Sequence, residues 1–267
     1  MKKISVLMGV YNCESTLAEA VGSIVSQTYP EWELIICDDG SNDGTLAKAK
    51  EFAAAEPRIK VLENGRNLGL SKTLNRCFGE STGEYIARMD GDDRCDSERF
   101  EKQAAFLDST DEYAIVSSSM KLFDENGEWG IIEKPEYPTA RDTVEGSPIC
   151  HAPVMMRREC LEAVGGYSEN DRVLRVEDVD LWIRLYAAGF KCRNLREPLY
   201  SMRNDKNALN RRKYRYRINS ASVRLKGCKR LGLGMKSRAR ALRPMIYGLV
   251  PARLRDFLRR RKRSDRD

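Results

Sequence analysis

The sequence lacks paired cysteines, long apolar runs and internal repeats, and it holds a single histidine. Its eight cysteines, Cys13, Cys37, Cys77, Cys95, Cys150, Cys160, Cys192 and Cys228, stand far apart. No CxxC pair and no Cys/His spacing is of the kind that encloses zinc. Several sit inside apolar or helical runs, as buried thiols do, so a reducing, cytosolic setting is expected. No stretch approaches the roughly 20 apolar residues that cross a bilayer. The opening "MKKISVLMGVYN" is broken too soon, at Tyr11 and Asn12, to act as a signal peptide. What is left is an ordinary globular composition of 267 residues, 41% hydrophobic, enough for one large α/β domain or one domain and an appendage.

Charge is present in abundance but divided. Residues 1–202 carry 24 Lys and Arg against 36 Asp and Glu; from Arg203 onward the count is 23 against 4. The body is therefore −12 and the tail +19. An acidic body suits a metal-dependent site, and a basic tail suits an anionic partner such as lipid, nucleic acid or an acidic glycan.

Short β-branched runs alternate with helical patterns through the first hundred residues. "ISVLMGV" (4–10), "ELIICDD" (33–39), "IKVLEN" (59–64) and "EYIARM" (84–89) read as strands. Helices are expected after Asn12, over 44–55 and over 70–78. This βαβαβαβ order predicts an α/β fold with a mostly parallel sheet flanked by helices. From Ser97 the pattern loosens. A helix is expected over 97–108 with an imperfect capping box at Ser97. Two strands joined through "DENG", a short strand "PVMMRR" and a helix over 176–189 follow.

In parallel α/β sheets ligands gather beyond the carboxyl ends of the strands, and the polar residues of this chain cluster there. Asp90, Asp92 and Asp93 follow the fourth strand. Carboxylates one residue apart in a tight turn can converge on a hard cation and its phosphate oxygens, with Gly91 letting the backbone bend; the same pattern also fits a solvated acidic turn. "CDDGSNDGT" (37–45) ends the second strand, where an Asp can accept from a base N–H or bond a ribose, or simply form an Asx-rich turn. Glu177 and Asp178 open the helix over 176–189. Glu177 reads as a first-turn acid complementing the helix dipole, and Asp178 as a candidate general base. Trp32 and Trp182 read as core or groove wall.

Five blocks, "ISVLMGVYN", "SQTYPEWELIICDDGSNDGT", "NLGLSKTLNRC", "GEYIARMDGDD" and "VEDVDLWIRL", occur in an order and spacing that resemble a bacterial inverting glycosyltransferase of family 2, with the GT-A fold. The resemblance covers roughly residues 3–200. It implies transfer from a nucleotide sugar, usually of uridine diphosphate, with Mn²⁺ or Mg²⁺ bridging protein and pyrophosphate. Carried over by position, Asp39 matches the residue that reads the uracil and Tyr11 the one that stacks near it. Lys72 lies in the block that often touches the nucleotide. Asp90 and Asp92 match the DxD pair, Asp92 as the direct metal ligand, with Asp93 assisting from behind. Asp178 matches the catalytic base. Gly9 stands where some members carry a small hydroxyl side chain, so any contact from that side chain is lost. His151, in "SPICHAPVMMRR", falls in a block that often reads His-x-Ser-Val-Met. Pro153 replaces the serine here, and the histidine is either structural or a contact to pyrophosphate or metal.

The expected organisation is a glycosyltransferase domain over 1–202, with a nucleotide half (1–96) and an acceptor half (97–202), followed by a basic helical tail over 203–267. In the tail, Leu254, Phe257 and Leu258 share one helix face, Pro251 fits a helix start, and arginines occupy the rest. Such a helix can lie on an anionic membrane surface, which would place the protein at the inner face of the cell membrane, near a saccharide or lipid-linked acceptor for cell-surface polysaccharide synthesis. The same helix can also pack on the acidic body. Two other readings compete. One is a nucleic-acid-binding protein that stacks bases on Tyr214 and Tyr216; it leaves the acidic strand ends unexplained, so no nucleic acid is expected. The other is a sugar-nucleotidyltransferase, which would carry a Gly-rich basic loop where this chain has "MGVYNCES". A two-carboxylate glycoside hydrolase would need no uridine-reading loop.

Overall fold

The computed structural model of the chain describes residues 1–204 and 214–249. Strands β1 (Ile4–Val10), β2 (Trp32–Asp38), β3 (Ile59–Glu63) and β4 (Tyr85–Arg88) alternate with helices α1 (Leu17–Val25), α2 (Thr45–Ala55) and α3 (Leu70–Gly79). They pair in parallel in the order β3-β2-β1-β4. The reason lies in alternation along β1. Ile4, Val6, Met8 and Val10 enter the core on one sheet face, while Leu7 enters the core on the other with Ile35 and Cys37 of β2. With both faces buried, the strands need helices on both sides.

The second half continues the same sheet. It comprises β5 (Arg94–Cys95), α4 (Arg99–Asp108), β6 (Ile115–Asp124), β7 (Gly127–Ile132), α5 (Ala140–Glu145), β8 (Met155–Arg157), α6 (Arg158–Val164), α7 (Glu177–Ala187) and β9 (Cys192–Arg203). The nine-stranded order is β3-β2-β1-β4-β8-β6-β9-β5, with β7 on β6. The parallel arrangement expected for the sheet holds among the first four strands; beyond β4 it becomes mixed. β8 is antiparallel to both its neighbours and β6 runs parallel to β9. The tight turn between β6 and β7 leaves only an antiparallel pairing. At the start of α4 the expected Ser97 cap is absent. The first helical residue is Arg99, and the Ser97 carbonyl accepts instead from the backbone N–H of Thr28, 2.9 Å away. Trp32 and Trp182 are both core residues.

Three helices follow: α8 (Tyr214–Arg230), α9 (Met235–Ala241) and α10 (Arg243–Leu249). α8 and α9 pack on the body through a third core, in which Val223, Cys228 and Ala241 meet Val144 of α5 and Val179 and Ile183 of α7. Arg224 is buried, and its guanidinium donates to the carbonyl of Gly146 at 2.5 Å, satisfying a group left free at the end of α5. The expected amphipathic face of Leu254, Phe257 and Leu258 lies outside the described residues. Among the described residues no helix is long and apolar enough to cross a membrane.

Candidate active site

A cavity of about 620 Å³ opens at the carboxyl ends of β1 and β2, bounded by the N-terminus of α3, the acidic turn after β4, the 168–175 loop, the start of α7 and one residue of α8. Gly9, Val10 and Tyr11 form its floor at the end of β1. Tyr11 is 43% exposed, its ring free to meet a ligand. At Gly9 a Cβ would lie 3.0 Å from Thr73 Cγ2, so glycine there permits the close approach of α3 to β1.

Asp39 follows β2 and is buried. Its Oδ1 accepts from Asn64 Nδ2 (2.7 Å) and the Leu68 N–H (2.8 Å), and its Oδ2 accepts from the Gly69 N–H (2.9 Å). This single carboxylate therefore fixes the loop that delivers Leu68, Gly69 and Lys72 to the cavity. Asp38 does comparable work one residue earlier, accepting from the N–H groups of Gly40 and Ser41.

In the turn after β4 the three aspartates have different partners. Asp90 is gripped through both oxygens by the buried Arg88, two residues back in β4. Burial works against the Arg88 charge, but Asp90 outweighs it and holds the guanidinium's pKa above its usual value. Asp93 is buried, accepting from the Tyr200 hydroxyl (2.9 Å) and the Arg203 N–H (2.7 Å), both on β9. Burial first, then the charges of Asp90 and Asp92, push its carboxyl well above the ordinary range. Asp92 makes no side-chain hydrogen bond or ion pair among the described residues and lines the cavity. Asp92 is exposed to solvent, and partial desolvation of its carboxylate, then the Asp90 charge, raise its pKa as well. Gly91 serves close approach rather than a left-handed bend: a Cβ there would meet Val10 Cγ1 at 2.6 Å. From below, fully buried Arg99 of α4 donates to the carbonyls of Arg88 (2.9 Å) and Val154 (3.3 Å), bracing the end of β4.

Among the described residues no three His, Cys, Asp or Glu side chains converge as a complete metal set. The open carboxylate of Asp92 fits a cation that takes its remaining ligands from substrate phosphates and water, the habit of Mg²⁺ and Mn²⁺. It does not fit an ion caged by protein alone.

Glu177 and Asp178 begin α7, and Glu177 lines the cavity. Burial, ahead of the neighbouring Asp178 charge, raises the Glu177 pKa. Asp178 sits beside it, half-buried, and is not itself a lining residue. His151 lies away from the cavity wall. Its Nε2 is 2.9 Å from the Tyr167 hydroxyl and its ring meets Trp182 edge-on at 5.7 Å. Burial, then the Arg88 charge, lowers its pKa well below the usual value, leaving the ring neutral. Asn75 of α3 ties down the approach to the 168–175 loop, bonding both the carbonyl and the N–H of Tyr167.

The structure thus brings Tyr11, Asp39, Lys72 and Asp92 to one cavity. Asp90, Asp178 and His151 stand around it rather than on its lining. Arg175, Glu177 and Tyr216 line it without having been singled out for it by sequence. Glu177 was within reach of sequence reasoning as the neighbour of Asp178. Tyr216 was not, because nothing local signals that α8 folds back.

A sheet with parallel β3-β2-β1-β4 order, an acidic turn ending β4, an Asp-anchored loop beyond β2 and an acidic helix start on the same cavity define the GT-A class of fold. The chain belongs to glycosyltransferase family 2: the family described as "Glycosyl transferase family 2" matches residues 5–165. The chain is 44% identical over 251 residues to the putative glycosyltransferase EpsE of Bacillus subtilis (strain 168), covering 94% of this chain and 90% of that protein. It is 30% identical over 217 residues to the amylovoran biosynthesis glycosyltransferase AmsE of Erwinia amylovora, covering 78% and 79%. Among solved structures it resembles S. aureus TarS 1-349 in complex with UDP-GlcNAc, with a TM-score of 0.71 at 19% identity, over 92% of this chain and 72% of that one. It also resembles the mannosyltransferase PcManGT of Pyrobaculum calidifontis in complex with GDP-Man and Mn²⁺, with a TM-score of 0.63 at 19% identity, over 93% and 74%. At such identity these two likenesses concern the fold.

Proposed function

We propose that this glycosyltransferase inverts configuration as it moves a sugar from a uridine-type nucleotide sugar to a saccharide or lipid-linked acceptor in polysaccharide biosynthesis. The carrying observation is that Tyr11, Asp39, Lys72, Asp92 and Glu177 line one cavity at the carboxyl ends of the strands. The uridine donor accords with the UDP-GlcNAc complex of TarS, and the polysaccharide setting with the name of AmsE.

Residues 1–96 hold the nucleotide in this reading and residues 97–202 the acceptor. Tyr11 stacks on the base. A carboxylate offers about four lone-pair sites. Three of Asp39's are used by Asn64, Leu68 and Gly69, so Oδ2 keeps one for the imino N–H of uracil. Lys72, which makes no ion pair among the described residues, faces the diphosphate. Bound together with the donor at Asp92, Mn²⁺ or Mg²⁺ would neutralise charge on the departing nucleoside diphosphate. Asp90, held by Arg88, keeps the turn in place, and Asp178 takes the proton of the attacking hydroxyl. One displacement from the face opposite the leaving group gives inversion.

A second reading of the base is favoured by one observation: Glu177, with its raised pKa, lines the cavity where Asp178 does not. Single amide substitutions separate the two. Asp178→Asn is expected to lose about a hundredfold to ten-thousandfold in turnover while still binding uridine diphosphate. Near-normal turnover in Asp178→Asn, with that loss in Glu177→Gln, transfers the role to Glu177.

The donor is tested by screening nucleotide sugars for release of nucleoside diphosphate with and without Mn²⁺. The expected result is metal-dependent release from one uridine diphosphate sugar above all others. Release from none of them contradicts the reading.

A further inference from the structure

Tyr216 belongs to the basic C-terminal segment, yet it lines the cavity beside Leu174, Arg175 and Glu177. We propose that Tyr216 is an acceptor-positioning residue: its ring is the wall on which the acceptor sugar rests while a hydroxyl of that sugar is presented to the acids that open α7. This rests on the transferase reading above and deepens it by naming a side chain that selects the acceptor.

Three observations support the assignment. The first is that α8 is fixed to the catalytic helix rather than draped over it. At Gly227 a Cβ would stand 2.6 Å from Ile183 Cδ1 of α7 and 2.9 Å from Val144 Cγ1 of α5, an approach that glycine alone allows. Arg224 holds the end of α5, and Asn219 Nδ2 donates to the Leu174 carbonyl at 3.3 Å. Tyr216, Asn219, Val223 and Gly227 recur at the three- and four-residue spacing of one helix face, so the face that anchors α8 also delivers Tyr216.

The second is location. The donor anchors Tyr11, Asp39 and Lys72 come from β1, β2 and α3, whereas Tyr216 enters the lining from α8, which Asn219 ties to Leu174, and so forms a second wall with the 168–175 loop. Inversion requires the acceptor oxygen to arrive from the side away from the leaving diphosphate, which assigns that second wall to the acceptor. The third is chemistry. A sugar ring presents C–H groups on one face and hydroxyls at its edge, and a tyrosine matches this with an apolar ring and a polar tip. The Arg215 guanidinium, 5.0 Å from the Tyr216 ring centre, adds a cation that steadies the ring. Arg175, with a left-handed backbone (φ 65°), holds its place on the same wall at some conformational cost.

The test uses the full chain, the uridine diphosphate sugar it turns over, and a panel of octyl hexosides and octyl N-acetylhexosaminides as acceptors. Tyr216→Ala is expected to raise the acceptor KM about tenfold, the loss of one well-made ring contact, with the Kd for uridine diphosphate held within about twofold. Tyr216→Phe keeps the ring and is expected to stay within about threefold of the native KM. Tyr214→Ala, on the exposed side of α8, is expected to leave the acceptor KM unmoved. Thermal midpoints verify that α8 stays docked. If Tyr216→Ala unfolds, Tyr216→Trp replaces it, and a changed ranking of the octyl glycosides supports the assignment. An unchanged KM in a folded Tyr216→Ala, an unchanged ranking in Tyr216→Trp, or an equal loss of uridine diphosphate affinity overturns it. A native chain that binds uridine diphosphate and turns over no nucleotide sugar removes the transferase reading, and the role of Tyr216 with it.

Discussion

Asp90 gives both carboxylate oxygens to Arg88, while Asp92, two positions on, keeps its own for the cavity. The repetition of aspartate is legible in the sequence, and so is its position after a strand. The division of labour is not, because it depends on where Arg88 turns inside the sheet. A consequence follows for stability. The Arg88 side chain is 8% exposed and Asp90 30%, so Asp90→Asn strands a largely buried cation and is expected to cost about 2–4 kcal/mol. Asp92→Asn behaves oppositely. An acid whose pKa is raised in the folded state is strained when ionised, so removing that charge is expected to leave the urea midpoint at pH 7 unchanged or slightly higher. Urea titrations of the two variants side by side check both signs.

β1, β2 and the residues before β4 are tied together by Glu33. Its carboxylate accepts from Lys3 Nζ (2.8 Å), Ser5 Oγ (2.6 Å) and the Thr82 N–H (2.7 Å). Burial alone would raise its pKa; those hydrogen bonds outweigh burial and bring it down to about 2. With the folded value below the unfolded one, this contribution is complete above about pH 4.5 and is lost as pH falls toward 2. Glu33→Gln is expected to lower stability at pH 7 by about 2 kcal/mol and to flatten the acid limb between those values, measured as urea midpoints against pH. The first four strands are readable in advance because each is a short apolar run closed by polar residues. β9 is not: "CRNLREPLYSMR" is interrupted by charges and a proline, and its pairing with β6 shifts register twice. Its partner stands more than 70 residues away in sequence, so only tertiary contact specifies it. β5, two residues long, leaves no pattern at all.

The whole chain joins an acidic body to a basic tail, and α8 and α9 show that part of this tail is structural. Val223, Cys228 and Ala241 complete the third core with α5 and α7. Removing everything after Asn204 is therefore expected to expose that core and abolish soluble, active protein, as expression and size-exclusion chromatography would report. Ending the chain before Arg243 spares the core. The membrane reading, proposed on the charge of the tail and on exposed Ile246 at its described end, predicts that this shorter chain loses flotation with anionic liposomes while the full chain keeps it. Equal flotation of the two would remove that proposal and leave the catalytic account intact.

The acidic turn after β4 is proposed to anchor a nucleotide diphosphate through a cation held at Asp92. Calorimetric titration of uridine diphosphate into the native chain and Asp92→Asn, each with and without Mn²⁺, tests it most directly. Binding is expected to require Mn²⁺ in the native chain and to weaken about a hundredfold or more in Asp92→Asn. Binding indifferent to Mn²⁺, or equal in the two proteins, would contradict it.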